Sequence, residues 1–117
     1  KQGSLSIGGA SLGGLMALYA ALRMSQWFGK VLSQSGAFSI KDQKLVVWSL
    51  IEHQPTLPLN LWLDCGIYEP LIETNRQMAA LLEHKGYTFT YKESQSGHNY
   101  PAWRSLLPEA LISLFGR

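Results

Sequence analysis

The sequence predicts an α/β fold, with a mainly parallel sheet of about four strands and helices on both faces. Short apolar segments around Leu5, Val31, Leu63 and Phe89 alternate along the chain with longer segments of helical periodicity. Alternation of this kind is typical of parallel sheets, whose crossover connections are helices. Hydrophobic residues make up 46% of the 117 residues and charged residues 15%, which indicates a globular chain with elements buried on more than one face.

The individual elements follow from apolar spacing and from the residues that end each segment. Strands are predicted at residues 5–7, 30–34, 59–65 and 87–92, and helices at residues 12–24, 45–53, 71–84 and beyond 100. Residues 37–44 are predicted to form a loop in which Asp42 would cap the second helix. Gly86 should end the third helix, and Pro108 should kink or divide the last one.

The first helix has an apolar stripe that is predicted to face the core. Its members are Leu12, Leu15, Met16, Tyr19 and Leu22. Small residues on the same helix would let it lie close to its neighbours.

A serine motif joins the first strand to this helix. Residues 9–13 read Gly-Ala-Ser-Leu-Gly and match G-x-S-x-G, in which the serine occupies a strained strand-to-helix turn that exposes its hydroxyl. The glycines allow backbone to approach backbone at such a turn. Because the helix begins beside Ser11, the amide of Leu12 has no helical acceptor, which makes it a candidate oxyanion donor.

Polar residues follow each predicted strand, and the carboxyl ends of parallel strands meet at one edge of a sheet. Ser11, residues 33–36, Glu69 and His98 all fall at that edge. A serine hydroxyl needs a base to become a nucleophile, and His98, in the loop after the last strand, is the candidate base. His53 and His84 lie near helix ends and are expected at the surface.

Two carboxylates are candidates for the acid that would orient this histidine. Glu69 lies in the loop after the third strand, and Asp64 lies near the end of that strand. The loop position favours Glu69, because a loop residue has more reach towards His98. Asp64 stays the alternative.

Composition argues against several other classes of protein. A net charge of +2 is too small to indicate nucleic-acid binding, and no apolar run is long enough for a membrane span. The single cysteine, Cys65, allows neither an internal disulfide nor a cysteine-type metal site, and it is consistent with a reducing, cytoplasmic location. We therefore predict no cofactor and no metal, and a small-molecule partner.

Three segments resemble enterochelin (ferric enterobactin) esterases, which are α/β-hydrolases of the esterase D group. They are IGGASLGGLMALYAALRMSQWFGKVLSQSGAF, LWLDCGIYEPLIETNRQMAALLEHKGY and SGHNYPAWRSLLPEAL, and the resemblance extends over essentially the whole chain. The resemblance implies that residues 1–117 are the C-terminal half of one α/β-hydrolase catalytic domain. It also implies a catalytic triad of Ser11, His98 and Glu69. Trp103 matches the ending of the family and is interpreted as a core residue.

The resemblance implies hydrolysis of the ester bonds of a catecholate trilactone siderophore. The alternative within enzymes is another ester or thioester, such as a feruloyl or acetyl ester or S-formylglutathione. The hypothesis from another class is a non-catalytic binding module on the same fold. The presence of candidate nucleophile, base and acid favours an enzyme.

The first strand leads to a further expectation. The resemblance places this strand in the middle of a sheet, but the strands that would flank it on one side are absent from these residues. The loop that would supply a second oxyanion amide is absent as well. We therefore expect that these residues either belong to a longer chain or associate across that edge.

Overall fold

A computed structural model of the chain describes residues 3–40 and 43–116. The strands and helices are, in chain order, β1 (Leu5–Ala10), α1 (Leu12–Arg23), β2 (Phe28–Gln34), β3 (Ser39–Ile40), β4 (Gln43–Lys44), α2 (Val46–His53), β5 (Asn60–Gly66), α3 (Ile72–His84), β6 (Thr88–Ser94) and α4 (Tyr100–Phe115).

The main sheet has the order β1-β2-β5-β6, and all of its pairs are parallel. Neighbouring residues on one strand point to opposite faces. In β2, Val31 packs into the larger core with α1, α2 and α3, whereas Leu32 packs against α4 on the other face. Helices therefore cover both faces, and the predicted α/β fold class is confirmed.

The central strand β5 carries the longest buried run. It pairs with β2 on one side and β6 on the other, and residues 61–66 are all buried. Leu61 and Leu63 belong to the larger core, while Trp62 packs with Ala110 and Leu114 of α4. Burial on both faces explains the nearly continuous apolar sequence of this strand.

The predicted core-facing stripe of α1 is wrong for two of its members. Leu12 and Met16 are 57% and 55% exposed, although Leu22 is buried. The helix instead buries Gly14, Ala17 and Ala21, together with Leu18 and Leu22. A side chain at Gly14 would lie 2.8 Å from the hydroxyl of Ser33. The close approach of α1 to β2 therefore decides which face of the helix is buried.

Three smaller predictions are corrected or lie outside the described residues. The predicted loop at residues 37–44 contains an antiparallel pair, β3 with β4, whose two-residue strands are too short for periodicity to reveal. Pro108 does not divide α4, which runs through it as one helix. Asp42, the predicted cap, lies outside the described residues. Gly86 ends α3 as predicted, with a φ of +78°.

Strand β1 lies at the end of the sheet order and pairs with β2 alone among the strands that the structure describes. Leu5 in this strand is 50% exposed. Within residues 3–40 and 43–116, no helix combines the length and the apolar character that crossing a membrane would require.

Candidate active site

Ser11 occupies the turn between β1 and α1 in a strained backbone conformation. Its φ is 58°, a value that residues with a side chain rarely adopt. Backbone hydrogen bonds tie the turn to the end of β2. The Ser11 amide donates to the Gln34 carbonyl over 2.8 Å, and the Ser11 carbonyl accepts from the Ala37 amide over 3.1 Å. The neighbouring loop therefore holds the strained serine in place.

Gly9 is needed at this turn because of close backbone contact. A side chain at Gly9 would lie 2.5 Å from the carbonyl oxygen of Gly13, in the first turn of α1. Gly13 itself faces open space. The first glycine of the motif is therefore required by the approach of the helix, which brings the N-terminus of α1 against the strand that carries Ser11.

His98 lies between β6 and α4, immediately before the residue that caps α4. The Asn99 side chain accepts a hydrogen bond from the Ala102 amide over 2.9 Å, which fixes where the helix begins. The indole of Trp103, in the first turns of α4, meets the His98 ring edge to face, with centroids 4.8 Å apart and planes at 88°. The cap and this contact together restrict the histidine ring.

These elements place three predicted site residues in one line. The Ser11 Oγ and the His98 Nε2 are 3.1 Å apart, and the His98 Nδ1 and the Glu69 Oε1 are 2.6 Å apart. An ionised carboxylate only accepts hydrogen bonds, so the proton lies on Nδ1 and Nε2 is left to accept from the serine hydroxyl. The histidine side chain is 34% exposed, whereas that of Glu69 is 1% exposed.

The Glu69 carboxylate is buried but fully partnered. Its Oε2 accepts from the Ser35 hydroxyl over 2.5 Å and from the Gly66 amide over 2.7 Å, while Oε1 faces His98. Burial alone would raise the pKa of Glu69, but the hydrogen bonds from Ser35, Gly66 and His98 outweigh burial and hold the pKa below its ordinary value. The group therefore stays ionised beside the histidine.

Asp64 has different partners, and no hydrogen bond joins it to His98. Its Oδ2 accepts from the indole of Trp62 over 2.7 Å and from the side-chain amide of Gln34 over 3.0 Å. Burial raises the pKa of Asp64 to about 6, only partly offset by these two hydrogen bonds, and the charge of Glu69 adds to the rise.

The other residues considered from the sequence lie elsewhere. His53 and His84 are exposed at the last turns of α2 and α3. Cys65 is buried, and burial raises the pKa of its thiol, so the thiol stays protonated. The amide of Leu12 belongs to the first turn of α1, where N–H groups have no partner within the helix.

Sequence reasoning missed several groups that support the line from Ser11 to Glu69. Ser35 was noted only as part of the segment after β2, and Trp103 was interpreted as a core residue. Trp103 is instead half-buried beside His98, and its indole donates to the Ser35 hydroxyl over 2.7 Å. Asn75 of α3 is also missing from the prediction. The side-chain amide of Asn75 donates to the carbonyls of Gly36 and Leu71 and so joins the loops that follow β2 and β5 at the carboxyl edge of the sheet.

A parallel sheet with a serine at a strand-to-helix turn, facing a histidine and then a carboxylate, is the arrangement of the α/β-hydrolase class. The chain matches the family model described as "Putative esterase" over residues 1–114, and it belongs to that esterase family.

Curated and solved relatives agree with this family. The iron(III) enterobactin esterase of Escherichia coli K12 is 32% identical over 116 residues, which cover 93% of this chain and 29% of that protein. The crystal structure of ferric enterobactin esterase from Salmonella typhimurium superposes with a TM-score of 0.85 at 30% identity, covering 97% of this chain and 31% of that one. Enterobactin esterase from Shigella flexneri, solved in the presence of enterobactin, gives a TM-score of 0.84 at 32% identity, covering 94% and 30%. The chain thus spans less than a third of the length of these relatives.

Proposed function

We propose that the protein is a serine carboxylic-ester hydrolase in which Ser11 is the nucleophile, His98 the base and Glu69 the acid. The observation that carries this proposal is the continuous hydrogen-bonded line from the Ser11 Oγ through both nitrogens of His98 to Glu69, with distances of 3.1 and 2.6 Å. We further propose that residues 1–117 form the C-terminal part of one α/β-hydrolase catalytic domain.

In the acylation step, the Ser11 Oγ attacks the ester carbonyl while the His98 Nε2 takes the hydroxyl proton. The histidine then carries a positive charge, which the ionised Glu69 stabilises across Nδ1. The tetrahedral intermediate collapses when the bond to the alcohol oxygen breaks, and His98 returns its proton to that oxygen. The acyl group stays on Ser11 as an ester.

In the second step, water takes the place of the alcohol. His98 accepts a proton from water, the resulting hydroxide adds to the acyl carbonyl, and the Ser11 oxygen leaves with the proton that His98 holds. The acid is released and the enzyme returns to its starting state.

The negative oxygen of each intermediate needs hydrogen-bond donors. We assign one of them to the amide of Leu12, because it follows Ser11 at the N-terminus of α1, where amides are unpaired and the helix dipole favours negative charge.

For the substrate, we propose a catecholate trilactone siderophore of the ferric enterobactin type. Support comes from relatives that are called enterobactin esterases and that align over nearly the whole chain at about 30% identity. Such a substrate presents ester bonds, which match the proposed chemistry. Other carboxylic esters or thioesters are outcomes of the test below.

Replacement of the proposed nucleophile is the primary test. Ser11→Ala in the full-length protein should lower ester turnover by up to about a million-fold with little loss of folding. A fluorophosphonate probe, which bonds to an activated serine with loss of fluoride, should label the wild type at Ser11 and leave the variant unlabelled. The matched control is Ser6→Ala, an exposed serine of β1 outside the site, which should be labelled at the wild-type rate.

The same proteins decide the substrate class. Hydrolysis of the trilactone by the wild type, and its loss in Ser11→Ala, would support the siderophore proposal. Turnover of a simple aryl ester without turnover of the trilactone would keep the esterase and reject this substrate. An unlabelled Ser11 and no turnover at all would favour a binding module.

We also propose that the free edge of β1 is completed, either by strands of a longer chain or by association with another copy. Support comes from the pairing of β1 with β2 alone within the described part of the chain, and from the exposure of Leu5. Residues 1–117 alone should be labelled at least about a hundred-fold more slowly than the full-length protein, because one oxyanion donor would be missing. Sedimentation would report association, and a soluble monomer with full turnover would contradict the proposal.

A further inference from the structure

Two residues outside the proposed triad, Ser35 and Trp103, form a hydrogen-bonded chain that ends on the Glu69 carboxylate. The Trp103 indole N–H donates to the Ser35 Oγ over 2.7 Å, and the Ser35 hydroxyl donates in turn to the Glu69 Oε2 over 2.5 Å. A hydrogen bond to an ionised acceptor is among the stronger ones in proteins. Because Oε2 is held in this way, Oε1 is left to face the His98 Nδ1.

The Trp103 ring contacts the histidine itself as well. Its edge-to-face packing on His98, with centroids 4.8 Å apart, restricts the orientation of the histidine ring. The Trp103 backbone carbonyl accepts from the Gln34 side chain over 2.8 Å, which ties the start of α4 to the end of β2. One tryptophan therefore links β2, the acid and the histidine.

The backbone of Ser35 shows that this position is specialised. Ser35 is fully buried and has a φ of 50°, in the left-handed region that favours glycine. Its amide donates to the Asp64 carbonyl over 2.7 Å. A strained non-glycine residue persists where the surroundings require its side chain, and here that side chain is the hydroxyl between Trp103 and Glu69.

We propose that Ser35 and Trp103 are positioning residues that align the Glu69 carboxylate and the His98 ring for proton transfer from Ser11. This inference rests on the proposed esterase function and names residues that act through the triad rather than on the substrate. Trp103 acts on Glu69 only by way of Ser35, so the effects of removing the two groups should not be additive.

The chain offers matched variants for the test in the full-length protein. Ser35→Gly removes the hydroxyl while glycine suits the backbone conformation, and Trp103→Phe removes the N–H while a ring stays beside His98. The control for the serine is Ser33→Ala, which is also fully buried but donates to the Gly14 carbonyl. The control for the tryptophan is Trp62→Phe, because the indole of Trp62 donates to Asp64 and not to the Ser35 hydroxyl.

Two measurements separate this inference from the proposed function. The first is the rate at which a fluorophosphonate probe labels Ser11. The second, which needs no activity, is the far-downfield proton resonance of the hydrogen bond between the His98 Nδ1 and Glu69. Ser35→Gly should slow labelling by about 10- to 100-fold and shift or abolish the resonance, and Trp103→Phe should slow labelling by about 3- to 10-fold. Both controls should stay near the wild type.

The double variant should be no slower than Ser35→Gly alone, since the indole acts through the serine. Labelling of Ser35→Gly within threefold of the wild type, with the resonance retained, would overturn the inference. If the wild type is not labelled at all, the proposed function fails and the resonance alone decides whether Ser35 and Trp103 hold the acid. If Ser35→Gly does not fold, Trp103→Phe decides by the same two measurements.

Discussion

Asp64 and Glu69 are both buried carboxylates at the carboxyl edge of the sheet, but their surroundings move their pKa values in opposite directions. Asp64 is 1% exposed, and burial raises its pKa to about 6 because donors from Trp62 and Gln34 reach only one of its oxygens. Glu69 is also buried, and burial would raise its pKa too, but donors on both oxygens hold the pKa below its ordinary value.

The difference shows that burial alone does not decide the charge of a carboxylate. What decides it is how many donors point at the ionised form and whether one of them is a group that becomes positive. His98 meets this condition for Glu69, whereas the side-chain donors to Asp64 among residues 3–40 and 43–116 are the neutral groups of Gln34 and Trp62. Two carboxyl groups whose surroundings move their pKa values in opposite directions are suited to different roles. We assign the orienting role to Glu69 and a structural role to Asp64.

The larger of the two effects expected from this comparison is on catalysis, and it comes from exchanging each acid for its amide. Glu69→Gln should lower kcat for ester hydrolysis by about ten-thousand-fold, since the histidine loses the anion that fixes its tautomer and stabilises its charge. Asp64→Asn should cost at most about tenfold, the equivalent of about one hydrogen bond, because an amide oxygen still accepts from Trp62 and Gln34. Steady-state kinetics on an aryl ester would measure both.

A larger loss in Asp64→Asn than in Glu69→Gln would reverse the assignment and make the strand-end carboxylate the acid. Small losses in both variants would indicate that Ser11 and His98 work as a dyad.

The fold and the gathering of site residues at one edge follow from sequence pattern. Alternating apolar segments predict a parallel sheet, and a parallel sheet brings the ends of its strands together whatever the details of packing. Ser11, Glu69 and His98 each follow a strand, so their convergence depends on topology alone. The loop position of Glu69 favours it over Asp64 from sequence, but the hydrogen bond to the His98 ring that distinguishes the two carboxylates depends on tertiary structure.

Other features depend on tertiary contacts that local pattern cannot contain. The buried face of α1 is decided by how closely Gly14 approaches Ser33, and not by which residues are most apolar. The hydrogen bond from Trp103 to Ser35 joins residues 68 positions apart. A tryptophan at helical spacing is usually a core residue, and only the position of its N–H reveals another role.

The smaller expected effect is on stability, and it has a definite sign. In the native protein, Asp64 holds its proton up to about pH 6, whereas in the unfolded chain it releases the proton near the ordinary pKa of 3.8. The native state therefore binds more protons between these values, and the free energy of unfolding falls as pH rises through them. The full loss, reached above pH 6, corresponds to about 3 kcal/mol at most.

Asp64→Asn removes this titration, so its stability relative to the wild type should increase with pH. Urea unfolding of the full-length proteins should show the difference growing by about 1.5 kcal/mol between pH 5 and pH 8. Ser33→Ala is the control, because Ser33 is also fully buried but is not ionisable, so the difference between this variant and the wild type should not change over the same range. Because the pKa of Glu69 is lowered, the contribution of this carboxylate to stability is present above the unfolded pKa and is lost only as pH falls through the folded one. The contribution of Glu69 ionisation should thus change little between pH 5 and pH 8. A flat difference for Asp64→Asn, or one that shrinks as pH rises, would mean that the two carboxylates do not diverge and that the contrast between their surroundings is not expressed in their charges.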